Sequence, residues 1–276
     1  MTLQLKSGDT VALIACSDPI PQERRVQINE LSAHLQQWGL QIVEASTLMD
    51  SHTSQEKANE LNRLFANPQI KAIFDISGGD LANGILPYLN YEQIRTAGTA
   101  FFGMSDLTVV LNAIVQQSQI QTYHYQIMNM IKEHGAEQRQ QFYRTFFEGG
   151  SDLYDFDFDF MQGENLHGDV IGGNIRCFLK LVGTPYFPNV AGKVLLLEAW
   201  SGRAPRILSM LDQLHQIGVF NACSGILLGT FTEIEQHGEW NQIQQHLLQL
   251  TAQHPIPVVT SKGIGHQSDS KCIIIS

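Results

Sequence analysis

Three residues in this chain could together do acyl-transfer chemistry: Ser105, Glu198 and His266, in that chain order. Each stands just past a short apolar run, where a parallel sheet presents its strand ends. A serine hydroxyl needs a base to take its proton. That base, an imidazole, needs a carboxylate to hold its tautomer and stabilise its charged form. Glutamate serves that last role as aspartate does. The stretch TAFFGMSDLTVVLN (99–112) stops its apolar run at Gly103, turns at Ser105 and starts a helical pattern at Asp106. A sharp strand-to-helix turn exposes a serine Oγ and aims the helix's first N–H groups at a developing oxyanion. The elbow pattern Gly-x-Ser-x-Gly is half met, because Leu107 stands where the second glycine belongs. On local pattern alone Ser105 also reads as a helix cap. Glu198 likewise reads as a surface acid and His266 as a loop histidine, so both alternatives stay open here.

The elements that must position these residues alternate. Apolar runs at 11–16 (VALIAC), 40–45, 72–76 and before Ser105 read as strands. Between them, helical spacing covers 22–38, 54–66 and the segment through Leu86. Strand alternating with helix predicts a parallel sheet with helices on both faces, which binds ligands beyond the carboxyl ends of its strands. Ser17 and Gly78-Gly79 fall at such ends. The glycine pair could supply oxyanion-hole N–H groups or only a tight turn. Character changes near Gly149-Gly150, so 1–150 reads as a first α/β unit, 151–167 as a linker and 168–276 as a second α/β unit. In the second unit the strand KVLLLE (193–198) ends on Glu198, and a late strand precedes Lys262-Gly263-Ile264-Gly265-His266.

Composition narrows the classes. A net charge of −10 with no Lys/Arg cluster excludes a phosphate-neutralising nucleic-acid binder. The opening MTLQLKSGDT lacks a leader's layout and no apolar run approaches a membrane span. Cys16, Cys177, Cys223 and Cys272 are scattered without paired spacing, as in reduced cytoplasmic proteins. There is no Walker A or GxGxxG pattern. Asp155, Asp157 and Asp159 lack the glycine and final glutamate of a calcium loop. His215, His237 and His254 show no ligand spacing. No metal or organic cofactor is expected.

Four blocks carry a resemblance: SGGDLANGILPYLNYEQIR (77–95), FFGMSDLTVVLNAI (101–114), GDVIGGNIRCFLKLVGTPYFPNVAGKVLLLE (168–198) and GIGHQSDSKCIII (263–275). In this order they resemble the L,D-carboxypeptidase family, which includes muramoyl-tetrapeptide carboxypeptidases and microcin C immunity proteins. The resemblance implies a flavodoxin-like N-terminal domain, a C-terminal α/β domain, an active site at their interface and a homodimer. It implies Ser105 as nucleophile, Glu198 and His266 as its partners, and backbone N–H groups of Gly79 and Asp106 as oxyanion hole. Gly78, Ser17 and Arg206 are the candidates for substrate binding, Arg206 for a carboxylate. The implied activity is release of a C-terminal D-amino acid from a murein-derived peptide. Three features depart from the family pattern. Ser77 replaces an Arg common in muropeptide-cleaving members, Tyr123-His124-Tyr125-Gln126 replaces a His-Gly-Pro turn, and 148–168 lacks the immunity subgroup's tryptophan. The alternatives are an immunity hydrolase acting on peptidyl or aminoacyl-nucleotide antibiotics, and a non-catalytic peptide-binding relative.

Overall fold

In the computed structural model, which describes residues 3–276, the strands are β1 (Thr10–Ile14), β2 (Gln41–Glu44), β3 (Ile70–Asp75), β4 (Ala100–Gly103), β5 (Thr122–His124), β6 (Asp159–Gln162), β7 (Val170–Asn174), β8 (Val194–Ala199), β9 (Gly225–Phe231), β10 (Val258–Thr260) and β11 (Ile273–Ile275). The first two positions of the expected 1–150 unit lie outside the described residues. The six-stranded sheet runs β11-β5-β4-β3-β1-β2, with β1 to β5 parallel. Its 2-1-3-4-5 core is the flavodoxin-like order, whose crevice opens where β1 and β3 part company. The five-stranded sheet runs β6-β10-β9-β8-β7; β7 to β10 are parallel and β6 is an antiparallel edge. The fold is thus α/β with two largely parallel sheets, as the alternating sequence pattern predicts.

Two segments find partners that local pattern does not name, although the acid–Phe alternation of 151–160 reads as a half-buried strand or a linker. The expected linker 151–167 contains β6, which pairs with β10. The expected second unit also gives up its end: β11 returns to the first sheet and pairs antiparallel with β5, Ile273 opposite His124. A run of three isoleucines is an apolar strand without a stated partner, so only the fold decides which edge it covers.

The helix Thr108–Ser118 is the joint between the sheets. Its sequence TVVLNAIVQQS is buried from Thr108 to Ile114, because one face packs on the first sheet and the other on β7. A helix that is apolar nearly all round needs such a two-sided burial. The two polar residues of that buried stretch, Thr108 and Asn112, are spent on the joint. Asn112 Nδ2 donates to the Gly172 carbonyl at 2.8 Å, and Asn112 Oδ1 accepts from the Gly172 N–H at 2.9 Å. Thr108 Oγ1 accepts from the Asn174 N–H at 3.0 Å. Gly173 lets the backbones come this close: it has φ +131°, and a Cβ there would sit 2.7 Å from Thr108 Oγ1. Since Asn174 pairs with Glu198 across β7 and β8, this clamp ties Glu198 to the helix that follows Ser105.

Candidate active site

Ser105 has φ +60°, a left-handed conformation that is costly for a residue with a Cβ. It is the first residue of a tight turn, Ser105–Leu107, that feeds the helix Thr108–Ser118. Neither element is capped by its hydroxyl: the N-cap positions are Met104 and Leu107, without side-chain cap bonds. The cap reading therefore does not account for Ser105, whereas a strained corner that turns Oγ outward does.

The next residue anchors the corner. Asp106 is fully buried, an expensive place for a carboxylate unless donors surround it. Its Oδ2 accepts from Ser17 Oγ at 2.7 Å and from the Ala82 N–H at 2.8 Å, and its Oδ1 from Lys180 Nζ at 2.6 Å. One side chain thus joins the β1 end, the loop after β3, and the second sheet's segment. Cys177 Sγ lies 3.5 Å from Oδ1, and its thiol is pushed up to about 12 by burial and then by the Asp106 charge.

The Gly78-Gly79 turn is held from both sides. Buried Asp75 accepts from the Ser77 N–H and Oγ at 2.8 and 2.6 Å and from the Cys16 N–H at 2.8 Å. Burial raises the Asp75 pKa against the pull of those donors. From the second sheet's side, Arg176 donates to the Gly79 carbonyl at 3.2 Å and pairs with Asp80, while Lys180 donates to the Asp80 carbonyl at 2.9 Å. Gly79 has φ +136°, and a Cβ there would strike the Asp18 carboxylate and Ser17 Oγ.

Glu198 is fully buried near the end of β8, and His266 Nδ1 lies 2.7 Å from its Oε2. The contact is short, but the ring N–H is not aligned on the oxygen as a linear hydrogen bond. Such alignment commonly tightens only with substrate in place. The other carboxylate oxygen, Oε1, faces a second imidazole: His124 Nε2 at 3.9 Å, equally buried. His124 ends β5 opposite Gly103 of β4, next to the Ser105 corner. Burial pushes the His124 pKa down, only partly countered by the Glu198 charge.

Ser105 and His266 line one cavity of about 410 Å³ together with Gly78, Met104 and Trp200. The Trp200 ring lies 5.4 Å from that of His266 and is 55% exposed, an aromatic wall at the mouth. Ser17 and Arg206 lie elsewhere. Ser17 is fully buried with its hydroxyl given to Asp106, so it shapes the corner without facing the cavity. Arg206 is exposed on the helix Ala204–Gln216, away from the lining. Sequence reasoning missed the cations that do line it, Arg24 and Lys132, along with Trp200, Gln126 and Asn129. Gln126, Asn129 and Lys132 share the turn after β5, but Arg24 and Trp200 come from distant segments, and no local pattern joins the three.

This arrangement defines a two-sheet α/β protein with a serine corner and a His–Glu pair on a shared cavity. Residues 11–125 match the LD-carboxypeptidase N-terminal domain and residues 167–276 the LD-carboxypeptidase C-terminal domain. The chain belongs to the LD-carboxypeptidase family. A Bacillus subtilis protein described as a probable murein peptide carboxypeptidase is 27% identical over 239 residues, covering 82% of this chain and 73% of its own. The microcin C7 self-immunity protein MccF of Escherichia coli is 24% identical over 299 residues, covering 95% of this chain and 87% of its own. A solved MccF structure in the wild-type apo state superposes with TM-score 0.87 at 21% identity, over 100% of this chain and 93% of that one. The muramoyltetrapeptide carboxypeptidase of Oxalobacter formigenes superposes with TM-score 0.76 at 20% identity, over 97% of this chain and 92% of that one.

Proposed function

We propose that the protein is a cytoplasmic, homodimeric serine carboxypeptidase that cleaves an L,D-peptide bond and releases the C-terminal D-amino acid of murein-derived peptides. The observation that carries this reading is the buried Glu198 carboxylate 2.7 Å from His266 Nδ1, with His266 and the strained Ser105 on one cavity. Ser105 Oγ attacks the scissile carbonyl carbon as His266 Nε2 takes its proton. Glu198 holds the ring and stabilises the imidazolium. The Gly79 and Asp106 N–H groups meet the tetrahedral oxyanion. His266 then gives the proton to the departing amine, breaking the C–N bond and leaving an acyl-serine. A water deprotonated by His266 attacks that ester, and Ser105 recovers its proton. No step calls on a metal or organic cofactor.

A second reading has one observation behind it. Trp200 is a large exposed ring beside His266, and an aromatic face can stack a nucleobase. Solved structures of MccF include one in complex with aspartyl sulfamoyl adenosine. The experiment that decides is liquid chromatography of reactions with a murein tetrapeptide and with an aminoacyl sulfamoyl adenosine. Free D-alanine from the first supports the carboxypeptidase. Turnover of only the second replaces it with an immunity hydrolase, and turnover of neither with specific peptide binding points to a non-catalytic relative.

A further inference from the structure

The cavity that holds Ser105 has an unusual charge balance for this chain. The protein carries a net charge of −10, yet among the described residues no Asp or Glu lines the cavity, whereas two cations do, Arg24 and Lys132. The other cations near the site are committed: Arg176 to Asp80, and Lys180 to Asp106. Arg24 and Lys132 take part in no ion pair among the described residues. Lys132 Nζ gives one hydrogen bond, to Asn129 Oδ1 at 3.0 Å, which orients the ammonium and leaves its other hydrogens free. Asn129 in turn reaches the Gln267 carbonyl at 3.4 Å, beside His266, so the cationic wall is tied to the loop that carries the imidazole. Lys132 is exposed as a residue, but its ammonium leans against the cavity wall, and that partial desolvation, followed by the Arg24 charge, pushes its pKa down. Two like charges on one wall disfavour each other until an anion joins them, and a guanidinium grips a carboxylate through paired N–H groups.

We infer that Arg24 and Lys132 form the subsite that holds the terminal carboxylate of the peptide whose last bond Ser105 attacks. This rests on the carboxypeptidase reading and extends it: an enzyme that removes only the last residue must distinguish a free carboxylate from a continuing chain. The pair supplies that distinction here. It does the work for which Arg206, exposed and off the cavity, is not placed.

The test is a KM and kcat comparison of a peptide acid ending in D-alanine with the same peptide amidated at its C-terminus. The enzymes are the wild type and the double variant Arg24→Gln, Lys132→Gln. Both side chains are exposed, so the variant is expected to fold, which circular dichroism checks. The pair predicts that kcat/KM for the acid falls about 100-fold, roughly tenfold for each charged hydrogen-bonding group lost. Most of that loss appears in KM, and the amide changes less than about threefold. Equal losses on acid and amide overturn the inference. So does an unchanged acid-to-amide ratio. Should the wild type cleave neither peptide, calorimetric binding of acid and amide to Ser105→Ala protein reads the subsite separately from the reaction. Acid preference lost in the double variant supports it, and no preference in either protein refutes it. Loss of adenosine monophosphate binding alone would assign the pair to a phosphate instead.

Discussion

Replacing Asp106 by Asn tests whether the Ser105 corner depends on a buried charge shared between the two sheets. Asn keeps the shape but removes the charge and turns one acceptor oxygen into a donor. That NH₂ must then confront either Lys180 Nζ, now 2.6 Å from Oδ1, or Ser17 Oγ and the Ala82 N–H, at 2.7 and 2.8 Å from Oδ2. Breaking a buried pair by removing one partner costs about 3–5 kcal/mol. Lys180 is 21% exposed and can turn part-way to water, so the expected loss lies at the lower end, about 3 kcal/mol. For a chain of this size that lowers the melting temperature by roughly 6–10 °C. Thermal and urea melts followed by circular dichroism measure the loss. Adding Lys180→Met should recover part of it, because the orphaned ammonium is then gone; the two single losses should fail to add by about 1–3 kcal/mol. Activity should fall further than stability explains, since the Asp106 carboxylate anchors the backbone whose N–H is the proposed oxyanion donor. An Asp106→Asn protein within about 0.5 kcal/mol of wild type, or strict additivity with Lys180→Met, would refute the reasoning.

The Asn112 clamp makes a parallel prediction. Asn112→Leu leaves the Gly172 N–H and carbonyl without their partners in a dry interface, at a cost of about 2–4 kcal/mol, and should lower kcat by loosening β7 and β8 against Ser105. Urea midpoints and turnover check it, and an unchanged kcat contradicts the positional link. His124 predicts a pH dependence of stability. Its folded pKa lies below the ordinary 6.5, so as pH falls below about 6.5 the unfolded chain takes up a proton that the folded protein resists. Stability should therefore decline from about pH 7 downward until the folded pKa is passed. Urea midpoints should fall more steeply in the wild type than in His124→Gln, and identical slopes contradict it.

The single-strand features were legible because they are local. Gly78-Gly79 and Ser105 mark the ends of apolar runs in the first sheet, and Glu198 and His266 those of the second, and in a parallel sheet such run ends share one edge. Ser17 shares that placement yet ends up buried, because position at a strand end does not say which way a side chain turns. The joint between the sheets left one trace: Asn112, a polar residue inside TVVLNAIV, signals a buried partner without naming it. The pairings of Asp106 with Lys180 and of β11 with β5 span long stretches of chain and have no sequence signature. Arg24, Lys132 and Trp200 look like ordinary surface residues in sequence, and only the folded loops bring them to one cavity.

The central claim is that Ser105 is a nucleophile activated by His266 and Glu198, and covalent labelling reads it most directly. Intact-protein and peptide mass spectrometry after a fluorophosphonate should find one adduct on wild-type protein, on Ser105. There should be none on Ser105→Ala and a labelling rate lowered by orders of magnitude in His266→Ala, with Glu198→Ala intermediate, on the order of 10⁴-fold below wild type in turnover. An adduct elsewhere, or wild-type labelling no faster than His266→Ala, would contradict the account.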